Sequence, residues 1–438
     1  MKIRYLYIII FLFIGSMLHA QSPSELPDTV YSIESCYTMV RENYPLVKKY
    51  ELMKLTEEYS LKNAYMHYFP QIALKGSASY QTDALEFPFD IPIPGYELPT
   101  YSKDQYTALI ELSQVLWDGG MIAAERENIR AKSEVDFHQQ ETDMYALKGR
   151  VNDLYFGILL LKEQLMQTDI ILKDLDSQSE KIRHCIENGV ANEADLDILE
   201  VEKITQKQNR NNILSLTETY LRMLTLMTGA QIDDSNMLIA PIPDNVDKEE
   251  LLTTLILGDI RRPELKIFDA KIREVNTQLD YWTAGGLPQF RLFLKGGYGR
   301  PGLNMLDDKL GFYAVGGIQL VWNISELYSL GYGKKIVNYS IGQINTMKET
   351  FLFNTNLQSE EQVSEIRRYF KIIDDDEEIL KLRERIKSST EQEVENGTKN
   401  TSDLVSEINK VNLASKQMAL HKIELMKSLY ELKTIKNN

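Results

Sequence analysis

The stretch LKGRVNDLYFGILLLKEQLMQTDIILKDLDSQSEKIRHCIENG, residues 147–189, decides the fold. A spacing of four and three residues picks out Leu147, Val151, Leu154, Ile158, Leu161, Leu165, Thr168, Leu172, Leu175, Ser179, Ile182 and Ile186, apolar except at Thr168 and Ser179. That is a heptad seam, narrower than the stripe a helix presents to a compact core. No proline interrupts the chain from Gly120 to Asn188, and at ~1.5 Å per residue such a helix runs roughly 100 Å. A rod of that length needs a partner along its side. Asn188-Gly189 supplies a helix end and Asn192 a helix start, so the partner predicted is the next segment, returning antiparallel.

Working outward, the period changes from near 3.6 to 2 after Pro70. One side of the next segment reads Ile72, Leu74, Gly76, Ala78, Tyr80 and the other Gln71, Ala73, Lys75, Ser77, Ser79, a strand with one apolar and one polar face. A proline-rich loop, Phe87 to Pro99, precedes a second such strand with Tyr106, Ala108, Ile110 and Leu112 against Thr107, Glu111 and Ser113, ending at Trp117-Asp118-Gly119-Gly120. The same signals then recur. Pro263 and Pro288 stand as far apart as Pro45 and Pro70, Trp322-Asn323 answers Trp117-Asp118, Tyr369-Phe370 answers Tyr155-Phe156, and Glu395-Asn396-Gly397 answers Glu187-Asn188-Gly189. The chain therefore reads as a tandem duplication. The first repeat covers residues 21–229, with strands near 70–82 and 104–117 and long helices 120–188 and 192–228. A connector with Pro241 and Pro243, residues 230–262, leads to the second repeat, 263–438, with strands near 288–299 and 311–322 and long helices 325–396 and 400–435.

The first twenty residues lie outside this scheme. Lys2 and Arg4, the apolar run Ile8 to Ile14 and Leu18-His19-Ala20 have the layout of a secretory signal peptide, residues 1–20. The apolar run is short for a membrane span, which favours removal over the alternative of a retained anchor. No cysteine follows the cleavage region, so lipid attachment there is not expected. The formal net charge is -15, and loss of Lys2 and Arg4 makes it more acidic, which argues against a nucleic-acid partner. Cys36 and Cys185 are placed too far apart along the rods for a disulfide, so two free thiols are expected.

Each of the four strands has about the 9 to 11 residues that cross an outer-membrane bilayer when tilted. A soluble sandwich produces the same alternation and stays open as the alternative. Four strands cannot close a barrel, and an open sheet in hydrocarbon leaves two edges of unpaired N–H and C=O groups. On the membrane reading the barrel is shared between copies, and three copies give an even-numbered closed cylinder. The helical seams call for the same arrangement, a second cylinder made of rods.

With these residues in hand, the chain resembles the TolC-type outer membrane efflux factors. The resemblance is carried by the helix-to-strand junctions at Pro70 and Pro288, the strand-to-helix exits at Trp117-Asp118-Gly119-Gly120 and Trp322-Asn323, and the stretches NGVANEADLDILE and NGTKNTSDLVSEI after the long helices. It implies a mainly α fold with a β part: long antiparallel α-hairpins forming an α-barrel, and four β-strands per protomer in a shared trimeric 12-stranded transmembrane β-barrel. It implies a homotrimer in the outer membrane with a long periplasmic extension, docked to a periplasmic adaptor protein and an inner-membrane pump, acting as a passive exit duct and not as an enzyme. Two other readings are the outer component of a type I protein secretion system and, in another class, a periplasmic coiled-coil protein without a pore.

The resemblance places adaptor contact at the hairpin tips, Asn188, Gly189 and Val190 in one copy and Asn396, Gly397 and Thr398 in the other. It places the periplasmic gate, an acidic ring with basic partners, at Asp403, Asp195 and Lys399. A plainer account of the carboxylates stands beside it, because Asp195 is three residues past Asn192 and Asp403 three past Asn400, the spacing of a helix-capping box. Where the family can carry a second acidic residue one turn beyond Asp403, Ser406 is read at that place.

No cofactor or metal is expected. His67, His138, His184 and His421 lack the spacing of a helical zinc site, and the His184-Cys185 pair points two ways from one helix. Gly331-Tyr332-Gly333-Lys334-Lys335 reads as a strand-to-helix turn rather than a phosphate-binding loop. The acidic run Asp374 to Glu378 reads as a solvated helix face.

Overall fold

The computed structural model describes residues 31–84, 102–189, 191–233, 248–304 and 307–437. Residues 1–20, the loop from Phe87 to Pro99, Val190 and the prolines Pro241 and Pro243 lie outside the described residues. The elements are α1 (Ile33–Asn43), α2 (Val47–Tyr65), β1 (Gln71–Tyr80), β2 (Asp104–Trp117), α3 (Met121–Glu187), α4 (Glu193–Thr228), α5 (Lys248–Leu257), α6 (Glu264–Gly285), β3 (Gln289–Arg300), β4 (Gly311–Val321), α7 (Glu326–Glu395) and α8 (Thr401–Lys436). Among the described residues no helix is long and apolar enough to cross a membrane.

The chain divides into two compact units that do not follow its sequence halves. One takes Met1–Asn43, Gly149–Lys248 and Glu365–Tyr430; the other takes Tyr44–Lys148, Glu249–Ser364 and Glu431–Asn438. Each unit thus gathers corresponding parts of both halves.

The first unit is a helical bundle. Its seam on α3 has no exposed member, and Val151, Ile158, Thr168 and Leu175 are completely buried. The polar seam residue Thr168 satisfies its hydroxyl by donating to the Gln164 carbonyl at 2.8 Å. Toward the hairpin ends, Ile171, Leu175 and Ile182 of α3 pack with Leu199 of α4 and with Leu404, Val405 and Ile408 of α8. Toward the other end Tyr155 and Phe156 are buried. The Tyr155 hydroxyl donates to the Tyr31 carbonyl at 2.9 Å, and Tyr430 to the Glu34 carboxylate at 2.7 Å. Burial, with help from Glu34, holds the Tyr430 phenol well above its usual range.

The acidic run from Asp374 to Glu378 departs from its expected reading at one position. Asp376 is 9 % exposed and its carboxylate lies 2.6 Å from Nδ1 of His421 on α8. A helix turns by 3.6 residues, so Asp376 shares the face of buried Ile373 while its acidic neighbours stay in solvent. The two cysteines are free thiols; Cys36 is buried, which pushes its pKa up to about 11.

The second unit holds the sheet, four antiparallel strands in the order β1-β2-β3-β4. Entry into α3 is built by Asp118, which is buried and accepts from the Gly120 N–H at 2.9 Å and the Ile122 N–H at 2.7 Å, filling the place of an N-cap. Gly119 between them has φ 71°, and a Cβ there would lie 2.8 Å from the Ala284 carbonyl oxygen. Only glycine fits.

Gly331-Tyr332-Gly333-Lys334-Lys335 also differs from expectation. It lies inside α7, which begins at Glu326, and is not a strand-to-helix turn. Gly333 is there for packing: a Cβ at that position would fall inside the ring of Trp282 on α6. Gly333→Ala should lower stability by ~1–3 kcal/mol, the usual penalty of overpacking. Thermal melting followed by circular dichroism checks this, and in a Trp282→Ala background the same change should cost little, since the clashing ring is gone.

Candidate functional site

Chemistry-bearing residues gather in two places, the hairpin ends of the first unit and the sheet of the second. At the first hairpin, Asn188 N–H and its side-chain amide both donate to the His184 carbonyl, at 3.1 and 2.8 Å. Gly189 follows with φ 74° and donates to the Ile186 carbonyl at 2.9 Å. At the second, Gly397 has φ 72° and donates to the Val394 carbonyl at 2.9 Å. The Thr398 amide and hydroxyl then both donate to the Glu393 carbonyl at 2.8 Å. A left-handed residue closes each helix and satisfies its last carbonyls.

Asp195 and Asp403 complete capping boxes. The Asp195 N–H donates to the Asn192 side chain at 3.1 Å while its carboxylate accepts from the Asn192 N–H at 3.1 Å. The Asp403 N–H donates to the Asn400 side chain at 2.8 Å and its carboxylate accepts from the Asn400 N–H at 3.3 Å. Among the described residues no bond joins Asp195 to Asp403. Lys399 is placed with Asp403 but bonds elsewhere: its ammonium meets the Glu393 carboxylate at 2.6 Å. That bond, aided by Asp403 and Glu407, raises its pKa.

Glu407 adds to the acidic pattern. Ser406 and Glu407 sit three and four residues past Asp403, both on its helix face. Ser406 stands where the family can carry a second acid, and Glu407 places a carboxylate beside it. Glu407 pairs with Lys410 at 2.6 Å and lies 3.8 Å from Arg383 of α7.

Sequence reasoning also missed the bridge between the two hairpins. Lys181 of α3 meets Glu391 at 2.6 Å and Glu395 at 3.1 Å, and Gln178 donates to Glu391 at 2.7 Å. The i, i+4 spacing of Glu391 and Glu395 was visible, but not the partner helix. The hydrogen bond from Lys181 lowers the Glu391 pKa, and the same bond raises that of Lys181. The linkage follows from these directions. Glu391 contributes stability above the ordinary glutamate pKa of ~4.3, lost as pH falls through the lower folded value. Lys181 contributes below its ordinary value of ~10.4 and loses this as pH rises through its higher folded value.

In the sheet, register decides what each face carries. Ile72, Leu112, Leu294 and Gly316 are cross-strand neighbours in one row, and Leu74, Ile110, Gly296 and Ala314 in the next. Gly76, Ala108, Tyr298 and Phe312 form a third. Residues paired across strands share a face, so one face is apolar over all four strands. It remains open: Ile72 is 72 % exposed, Leu74 80 % and Phe312 90 %. Aromatic residues border it, with Tyr80, Tyr106, Tyr298 and Phe312 toward one end and Trp117, with Phe290, at the other. From Phe290 to Tyr298 the strand advances on the order of 26 Å, roughly 20 Å when tilted by about 40°, close to the ~25 Å height of an outer-membrane apolar band. The opposite face carries Lys75, Glu111, Lys295 and Arg291. β1 is bonded only to β2 and β4 only to β3, which leaves both outer edges unpaired among the described residues.

No protein-family model and no curated protein matches the sequence. Solved structures do match in three dimensions. The outer-membrane channel OprN is similar over 92 % of this chain and 89 % of its own, with a TM-score of 0.63 and 13 % identity. The fold is that of outer-membrane channels. The outer membrane protein VceC of Vibrio cholerae has the channel fold over 91 % of this chain and 95 % of its own, TM-score 0.59, 11 % identity. The CmeC outer membrane channel of Campylobacter jejuni covers 92 % and 85 %, TM-score 0.58, 13 % identity. The resemblance carried by the Pro70 and Pro288 junctions and the hairpin stretches therefore pointed to the fold that is found, α-hairpins with a four-stranded sheet.

In this channel fold the ion bridge at Glu391 is a local fastening whose pH range can be read. Glu391→Gln should lower the melting temperature at neutral pH, by the modest amount of a half-exposed pair. The difference from the unaltered protein should shrink as pH falls below the ordinary glutamate range, through the lower folded value; a difference that does not shrink as the protein is acidified contradicts the assignment.

Proposed function

We propose that the chain is the exit duct of a tripartite export system in the outer membrane, a passive conduit assembled from three copies. The observation that carries this reading is the sheet: an apolar face open across all four strands, bordered by aromatic residues, with both outer edges unpaired among the described residues. In hydrocarbon those edges cost several kcal/mol per unpaired group. Because strand directions alternate, β4 of one copy and β1 of the next meet antiparallel, so three copies close twelve strands without a mismatch. Apolar stripes on the helices of the same unit support this. Leu52, Leu55 and Tyr59 on α2, and Tyr328, Tyr332, Ile336 and Tyr339 on α7, remain exposed in a single copy. Neighbouring copies supply their cover.

Energy then comes from partners, a periplasmic adaptor and an inner-membrane pump, as the family resemblance implies. The adaptor meets the tips at Asn188, Gly189, Asn396, Gly397 and Thr398, with Val190 outside the described residues. Asp403, seconded by Asp195 and by Glu407, forms the periplasmic gate, and Lys399 is its basic partner. The Asp195 and Asp403 carboxylates serve as caps as well as charges.

Purified protein reconstituted in planar bilayers should conduct and should migrate as a trimer before heating. A water-soluble monomer with no conductance overturns the duct and returns the chain to the coiled-coil class. Asp403→Asn separates the two roles of that residue, because the amide oxygen still accepts from Asn400 while the charge is gone. It should weaken block by divalent cations without loss of melting temperature. Block equal to that of the unaltered protein removes Asp403 from the gate.

A further inference from the structure

The sheet face opposite the apolar one has a charge opposite to that of the chain. The protein carries a formal net charge of -15, yet the charged residues on this face are Lys75, Arg291 and Lys295 with a single carboxylate, Glu111. Register explains how they meet. Glu111 of β2 stands directly across from Lys295 of β3, and Lys75 of β1 is two residues from Ala73, its partner on the other side. Lys295 lies 3.3 Å from one Glu111 oxygen, and Lys75 bonds the other. One carboxylate is thus divided between two ammonium groups. Arg291 donates to the neutral Gln289 side chain at 3.2 Å, and no acidic group pairs with it among the described residues. The other charged strand residues, Asp104 and Arg300, lie on the apolar face near its rim and neutralise one another.

We infer that this face lines the duct as a cationic wall and that the barrel favours anionic solutes, small molecules bearing carboxylate or phosphate groups. The inference rests on the duct reading, which turns this face inward. Twelve strands spaced ~4.8 Å apart and tilted about 40° give a backbone radius on the order of 12 Å. A lysine side chain reaching about 6 Å inward leaves its ammonium roughly 6 Å from the axis, inside the Debye length of ~8 Å at physiological salt. A solute on the axis therefore feels the wall. With three copies the excess of positive groups repeats around the circumference at two levels, Lys75–Glu111–Lys295 and Arg291, about 13 Å apart along β3. Rings of basic side chains are how anion pores discriminate by charge.

The test is the zero-current potential of reconstituted protein under a KCl gradient, read as a ratio of anion to cation permeability. Comparison between variants cancels whatever the rest of the channel contributes. The triple variant Lys75→Gln, Arg291→Gln, Lys295→Gln should lower the ratio by about twofold or more. Glu111→Gln should raise it, a change in the opposite direction that loss of folding cannot imitate. An unchanged ratio in both conducting variants, or shifts of the reverse sign, overturns the cationic wall and leaves the duct standing. Absence of conductance from the unaltered protein overturns the duct, and the wall with it.

Discussion

Two unpaired strand edges beside an oily face form the constraint on which everything else depends. A soluble protein with this sheet would cover the face with a helix or a second sheet. Here Leu74 and Phe312 stay largely in the open. Water disfavours the face, and hydrocarbon disfavours the edges. On the proposed duct reading, the two demands are met together by a ring closed between copies in a bilayer, which a single chain with four strands cannot make. Association between copies is then a condition for the sheet to exist as a membrane element.

The helices meet a related demand by different means. A seam of one residue in every three or four, from Leu147 to Ile186, is a narrow contact, and much of each rod surface is left for other partners. Hydrophobic packing fixes the seam, while ion pairs across the rods fix their register. Lys203 with Asp176, Arg210 with Asp169 and Lys181 with Glu391 and Glu395 tie α3 to α4 and α7 at intervals of one to two turns. Each is partly exposed and individually weak. On the duct reading, such bonds suit hairpin ends that hold position yet yield to a partner, because no single one is expensive to break.

The hairpin ends show how one residue type serves several demands. Gly189 and Gly397 supply the left-handed turn, and Asn192 and Asn400 cap the returning helices. Asp195 and Asp403 close the capping boxes while adding negative charge at a positive helix end. Structure and charge therefore rest on the same side chains at these sites, whereas on the sheet the charge of Lys75 and Lys295 is met by one shared partner, Glu111.

Local sequence alone determined which segments are rods and which are strands, because a period of 3.6 against one of 2, punctuated by proline and glycine, needs no knowledge of neighbours. It also placed the capping boxes, since Asn192 and Asp195 interact within one turn. Tertiary structure decided what depends on distant partners. Asp376 is drawn inside by His421 on another helix, Gly333 is small because Trp282 needs the space, and Lys181 finds Glu391 and Glu395 on another hairpin. The pairing of β2 with β3, strands far apart in the chain, made one apolar face of four and one basic face opposite. Alternation within a strand fixes what its two sides carry, but only the register between strands fixes which side chains become neighbours.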